Sequence, residues 1–147
     1  MGSQGTAPAR IVVGVDGSTS SEEALRWALR QARLLGGTVD AVIAWEFPAA
    51  YGFAALPVDT DVEAAAGAVL AEAVAKVAKD EPGVEIRESV SVGNAARALL
   101  DTARGAELLV VGNRGRGGFT EALLGSVSQH CVHHATCPVV VVRDGEG

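Results

Sequence analysis

The sequence predicts an α/β fold: a single doubly wound parallel five-stranded sheet with helices on both faces. Three observations lead there. Short apolar, β-branched segments alternate with stretches of helical length, and strands joined by such crossovers run parallel. Two of the short segments, Ile11 to Val15 and Leu108 to Val111, are uninterrupted apolar runs, the pattern of central strands covered on both faces. If those two are neighbours, the strand order reverses between them, and ligands of open α/β sheets bind beyond the carboxyl ends of the strands at such a point.

Ile11 to Asp16 reads as the first strand. Ser18, Thr19, Ser20 and Ser21 are each able to cap the helix that follows, and Ser20 with Glu23 has capping-box spacing. Ala24, Leu25, Ala28, Leu29, Ala32 and Leu35 form its apolar stripe, and Gly36-Gly37 stops it. Thr38 to Glu46 is the second strand. After a long connection from Phe47 to Asp59, a second helix runs from about Thr60 to Lys79, and Pro82-Gly83 breaks it. From Val84 to Val92 the chain alternates: Val84, Ile86, Val90 and Val92 face one way, Glu85, Arg87, Ser89 and Ser91 the other. Glu88 interrupts the apolar face, which suits a partly exposed edge strand. Gly93-Asn94 opens a third helix through Arg104, and Glu107 to Gly112 is the fourth strand. A helix from about Ser126 to Ala135 and a strand from Pro138 to Arg143 complete the domain.

The 147 residues are 48% hydrophobic and 20% charged, as in an ordinary globular domain. We assign residues 10–143 to that domain, with 1–9 as a flexible lead-in and 144–147 as a flexible tail. A net charge of −6 argues against nucleic acid as a partner, because phosphate backbones repel an acidic surface. No apolar stretch approaches bilayer length, and MGSQGTAPAR lacks the apolar core of a signal peptide; the expected location is cytoplasmic, with no membrane partner. Cys131 and Cys137 form no CxxC motif and read as two small buried side chains.

Against this acidic background, VVGNRGRGGFTEALLGSVSQH (Val110 to His130) stands out. Backbone amides wrap an anion closely where side chains are absent and unusual dihedrals are allowed. Gly112, Gly115, Gly117 and Gly118 give that freedom, Arg114 and Arg116 supply charge, and Gly125-Ser126 at a helix start adds N–H groups and a positive dipole end. The loop has no GxxxxGK[ST], and no GxGxxG with a downstream acid follows a strand, so a P-loop NTPase and a nicotinamide dehydrogenase are poor fits.

The spacing Gly112-x2-Gly115-x9-Gly125-Ser126 resembles the ATP-binding branch of the universal stress protein family. IVVGVDGS, SVGNAARALLDTA, ELLVVGNRGRGGF with LLGSVSQH, and HHATCPVVVVR extend the likeness over nearly the whole domain. The resemblance implies the strand order 3-2-1-4-5. It also implies ATP and Mg²⁺ as cofactors, with Asp16 near the nucleotide and its metal, and Gly112 and Gly115 near ribose and phosphates. Gly125, Ser126, Val127 and Ser128 would then donate backbone and hydroxyl groups to phosphate, and the backbone of Ala44 would meet adenine. Asn113 stands where many relatives have Ser; Arg114 and Arg116 are candidate phosphate contacts. The function implied is a nucleotide-responsive stress or signalling module, at most a slow ATPase, since no residue is evident to position water. A genuine ATP hydrolase, or a module for AMP or a cyclic nucleotide, is the alternative.

Two further readings concern the end of the chain. His130, His133, His134 and Cys131 invite a metal hypothesis, but no acid lies nearby in that segment and the cysteine spacing is not that of zinc, so packing and surface roles are expected. Pro138 to Val142 would be an unpaired apolar edge in the order above, and the expected partner is its own copy in a homodimer, which the resemblance also implies.

Overall fold

Strand β1 (Arg10–Gly14) carries Ile11, Val12 and Val13, all fully buried, so both of its faces must be covered. The computed structural model describes residues 8–45, 59–113 and 125–143. Along these the elements are β1, α1 (Thr19–Leu35), β2 (Thr38–Trp45), α2 (Asp59–Ala78), β3 (Ile86–Val92), α3 (Ala95–Thr102), β4 (Leu108–Gly112), α4 (Ser126–His134) and β5 (Val139–Val142). The sheet has five strands in the order β3-β2-β1-β4-β5, and every pairing is parallel. The two uninterrupted apolar runs are indeed neighbours, with Val13 opposite Val110.

Alternate side chains of each strand point to opposite faces. Ile11, Val13, Val39, Ala41, Ile43 and Val110 pack under α1 and α2 with Leu25, Leu29, Leu70 and Val77. Val12, Val42, Leu109 and Val111 pack under α3 and α4 with Leu99, Ala103 and Cys131. Each fully buried Leu contributes about 1.5–3 kcal/mol relative to exposure, so the core rather than the ion pairs holds the layers. The pairs that join α1 to α2 and the turn after it (Lys76 to Glu22 at 3.1 Å, Arg26 to Asp80 at 3.0 Å and Arg33 to Glu81 at 2.6 Å) are partly solvated and fix alignment.

Four details differ from the sequence reading. The cap of α1 is Ser18, whose side chain accepts from the Ser21 N–H, and not Ser20. Gly17, at φ +85°, turns the chain so that Ser18 arrives in the extended conformation that a cap needs, while Ser20 already lies inside the first turn. β1 ends at Gly14 rather than Asp16, whose N–H turns to Ser21 Oγ instead of to a neighbouring strand. Val92 is 54% exposed and does not join the apolar face of β3, and Cys137 is only half-buried. At the other end of α1, Gly36 adopts φ +70° and its N–H returns to the helix, the stop that Gly36-Gly37 announced.

Candidate functional site

The parallel pairing of β1 with β4 sends two segments out side by side from the carboxyl ends of the central strands. The first is the turn Asp16–Ser18. The Ser18 N–H donates to Asp16 Oδ1 at 2.9 Å, and the Asp16 N–H donates to Ser21 Oγ at 3.2 Å. The carboxylate is therefore held at the strand end by the turn that starts α1, and an ionised carboxylate has acceptor capacity beyond one such bond.

The second segment is Gly112–Asn113. Gly112 is absent from the glycines with positive φ, so its conformation is one that any residue adopts. What it provides is room: a Cβ there would lie 2.8 Å from the backbone C and O of Ser20 and closer still to Ser20 Oγ. The end of β4 thus presses directly on the first turn of α1. Ser20, 2% exposed, donates from Oγ to Asn113 Oδ1 at 2.9 Å. The Asn113 N–H continues the ladder to Val142 O at 2.9 Å, and Asn113 O accepts from the Gly125 N–H at 2.9 Å. The chain that leaves at Asn113 therefore comes back to Asn113 at the start of α4.

Gly125 caps α4 in extended conformation with no side-chain hydrogen bond. The first-turn N–H groups of a helix have no partner within it, and they carry the positive end of its dipole. Ser126 is exposed, and Val127 packs against the α3–α4 core. Ser128 is buried, and its hydroxyl donates to the carbonyl of Gly112. That hydroxyl, expected to reach phosphate, is instead turned inward to a backbone carbonyl. Ala44 is half-buried, opposite Ser91 near the carboxyl end of β2, one strand away from β1 on the side opposite β4. Asp16, Gly112, Asn113 and Gly125 to Ser128 thus gather at the carboxyl ends of the sheet, with Ala44 at its margin. Arg114, Gly115 and Arg116, with Gly117, Gly118 and most of the 47–59 connection, lie outside the described residues. Ser20, which meets the end of β4 at this place, was not among the expected site residues; the hydroxyl run 18–21 was legible only as capping.

The histidines of α4 lie elsewhere. The rings of His130 and His134 have centroids 4.8 Å apart, and both line an open groove of about 590 Å³ between α3 and α4 with Arg97, Asp101 and Arg104. The two arginines oppose a cation there. Among the described residues no three His, Cys, Asp or Glu are placed to hold a metal. Burial, with the neighbouring Cys137 adding to it, pushes the Cys131 thiol up to about 11, and burial also raises Cys137; neither is a ready thiolate. Among the described residues no helix is long and apolar enough to cross a membrane.

The sequence model of the universal stress protein family matches residues 9–143. Universal stress protein Rv2005c of Mycobacterium tuberculosis is 38% identical over 141 residues, covering 92% of this chain and 45% of that protein. The chain spans about half the length of the curated relatives it matches. A crystal structure of a universal stress protein in complex with cAMP is similar at 31% identity and TM-score 0.69, covering 95% of this chain and 100% of that one. The structure of the universal stress protein from Archaeoglobus fulgidus in complex with dAMP is similar at 27% identity and TM-score 0.67, covering 93% and 98%.

Proposed function

From the premise that the chain belongs to the universal stress protein family, we propose that the mouth between β1 and β4 binds an adenine nucleotide, ATP with Mg²⁺ in the first instance. The observation that carries the reading is the closure at Asn113: the glycine loop leaves from and returns to one residue, which delivers the open first turn of α4 to the switch point of the sheet. The donor set fits a phosphate chain, because first-turn N–H groups and a glycine-rich loop form a cradle for anions. Ser126, Val127 and Ser128 would donate through their backbone, with Gly112, Gly115, Arg114 and Arg116 along the phosphates and ribose and Ala44 toward adenine. Asp16 is the oxygen ligand that would hold Mg²⁺, which supplies neutralisation of phosphate charge.

The function is a nucleotide-responsive module of stress response with slow hydrolysis at most. A second reading, a nucleoside monophosphate or cyclic nucleotide as ligand, is favoured by the two similar structures that hold cAMP and dAMP. We also place a homodimer at Pro138–Val142. The two sheet edges differ: β3 carries Glu88 and lies beside the Glu85–Arg87 pair, charges that protect an edge, whereas β5 is four valines.

Calorimetric titration of nucleotide-free protein with ATP and Mg²⁺, then AMP and cAMP, tests this, with Gly115→Val as the control. Saturable binding of ATP lost in the variant is the expected result. Equal affinity for AMP moves the ligand to the second reading, and absence of any nucleotide binding by folded protein refutes both.

A further inference from the structure

The two walls of the site belong to different parts of the chain. Asp16 stands on the β1–α1 turn, and the loop mouth stands on the β4–α4 connection. Hydrogen bonds within the second wall are plentiful: Gly125 to Asn113, Ser128 to Gly112 and Asn113 to Val142. Across the two walls, Ser20 Oγ to Asn113 Oδ1 at 2.9 Å is a side-chain bond that ties the first turn of α1 to the loop mouth.

We propose that Ser20 is a positioning residue of the nucleotide site: its hydroxyl fixes Asn113, and so holds the loop mouth in register with the Asp16 turn. The proposal rests on the nucleotide reading above. Three observations support it. Ser20 is 2% exposed, so its hydroxyl is shielded from water and the bond is not readily exchanged for one to solvent. Gly112 allows no gap between the walls, since a Cβ there would meet the Ser20 backbone. Ser20 also sits two residues from Ser18, whose N–H holds the Asp16 carboxylate and whose Oγ accepts from the Ser21 N–H at 3.1 Å, so the hydroxyl is carried by the same turn that orients Asp16. A ligand that touches both walls needs both at once, and a site loosened by a fraction of an ångström loses affinity without losing any contact group.

The experiment is a double-mutant cycle: ATP·Mg²⁺ affinity by calorimetry for wild type, Ser20→Ala, Asn113→Ala and the double variant, with thermal unfolding of each nucleotide-free protein. Ser20→Ala should weaken ATP about threefold to tenfold, the range of one lost hydrogen bond. The double variant should bind no worse than Asn113→Ala alone, because the bond between the two side chains is already lost in that variant. A role confined to stability would lower the unfolding temperature and leave the affinity of the folded protein unchanged, and that result overturns the proposal. So do fully additive losses in the double variant. Wild type that binds no nucleotide is the separate outcome that refutes the parent reading.

Discussion

Gly112→Ala tests the close approach on which the site is built. A methyl group at that position would lie 2.8 Å from the backbone C and O of Ser20, atoms that cannot rotate away. Either β4 or the first turn of α1 has to move. Overpacking of this kind costs ~1–3 kcal/mol, and displacement of Ser20 breaks its bond to Asn113 for about 1 kcal/mol more. The sum, about 2–4 kcal/mol, lowers the unfolding temperature of a domain this size by roughly 4–16 °C at roughly 2–4 °C per kcal/mol. Two other glycines separate contact from conformation. At Gly14 the added methyl would lie 2.8 Å from Leu99 Cδ1, the end of a side chain that is able to shift, so Gly14→Ala should cost about 1 kcal/mol. Gly36 has φ +70° with nothing within 4 Å, so Gly36→Ala meets only backbone strain, about 1–2 kcal/mol. Urea unfolding with a common m-value ranks the three. If Gly112→Ala loses no more stability than Gly14→Ala, the rigid contact with Ser20 is not what the glycine is for.

Three shorter predictions address other parts of the molecule. Ser18→Ala removes the α1 cap, and its cost should be about 1 kcal/mol by urea unfolding, whereas Ser20→Ala should leave helix capping intact. In native protein a thiol reagent should modify half-buried Cys137 and spare Cys131 until unfolding; because Cys131 is raised to about 11 in the fold, the unfolded chain releases that proton first, so its contribution is complete below the ordinary thiol value and stability falls as pH climbs from there toward 11. In β5 the carbonyls of Pro138 and Val142 turn to β4, so the N–H groups of Val139 and Val141 face the open edge; Val141→Pro should give a folded monomer by light scattering if that edge joins two copies, and an unchanged dimer would place the interface elsewhere.

The fold was legible where burial alone decides. β1 and β4 are covered on both faces, and no polar residue interrupts either run, so their adjacency followed from Ile11–Val13 and Leu109–Val111 before any packing was known. β3 announced itself as an edge through Glu85, Arg87 and Glu88. Boundaries were less clear, because they depend on single turns. β1 ends at Gly14, though the Val15 N–H still bonds to Val42 O at 2.8 Å, and nothing in IVVGVD marks which residue leaves the ladder.

The spacing in the sequence pointed to the segment at the carboxyl ends of β1 and β4 as a candidate site, but not to what each of its residues touches. Sequence reasoning treats a glycine in a phosphate loop as a source of unusual dihedrals; Gly112 has none, and serves by letting two backbones meet. It treats a serine at a helix start as a donor to a ligand; the hydroxyl of Ser128 turns inward to Gly112. It treats four hydroxyl residues in a row as competitors for one cap, though 18 and 20 have separate tasks, one on its own helix and the other on Asn113, 93 positions away at the exit of β4. In each case the deciding contact is made across the sheet, between α1 or α4 and the end of β4. Local sequence encodes the candidates; the close packing of those ends selects among them, and that selection brings the Asp16 turn and the loop mouth into one place.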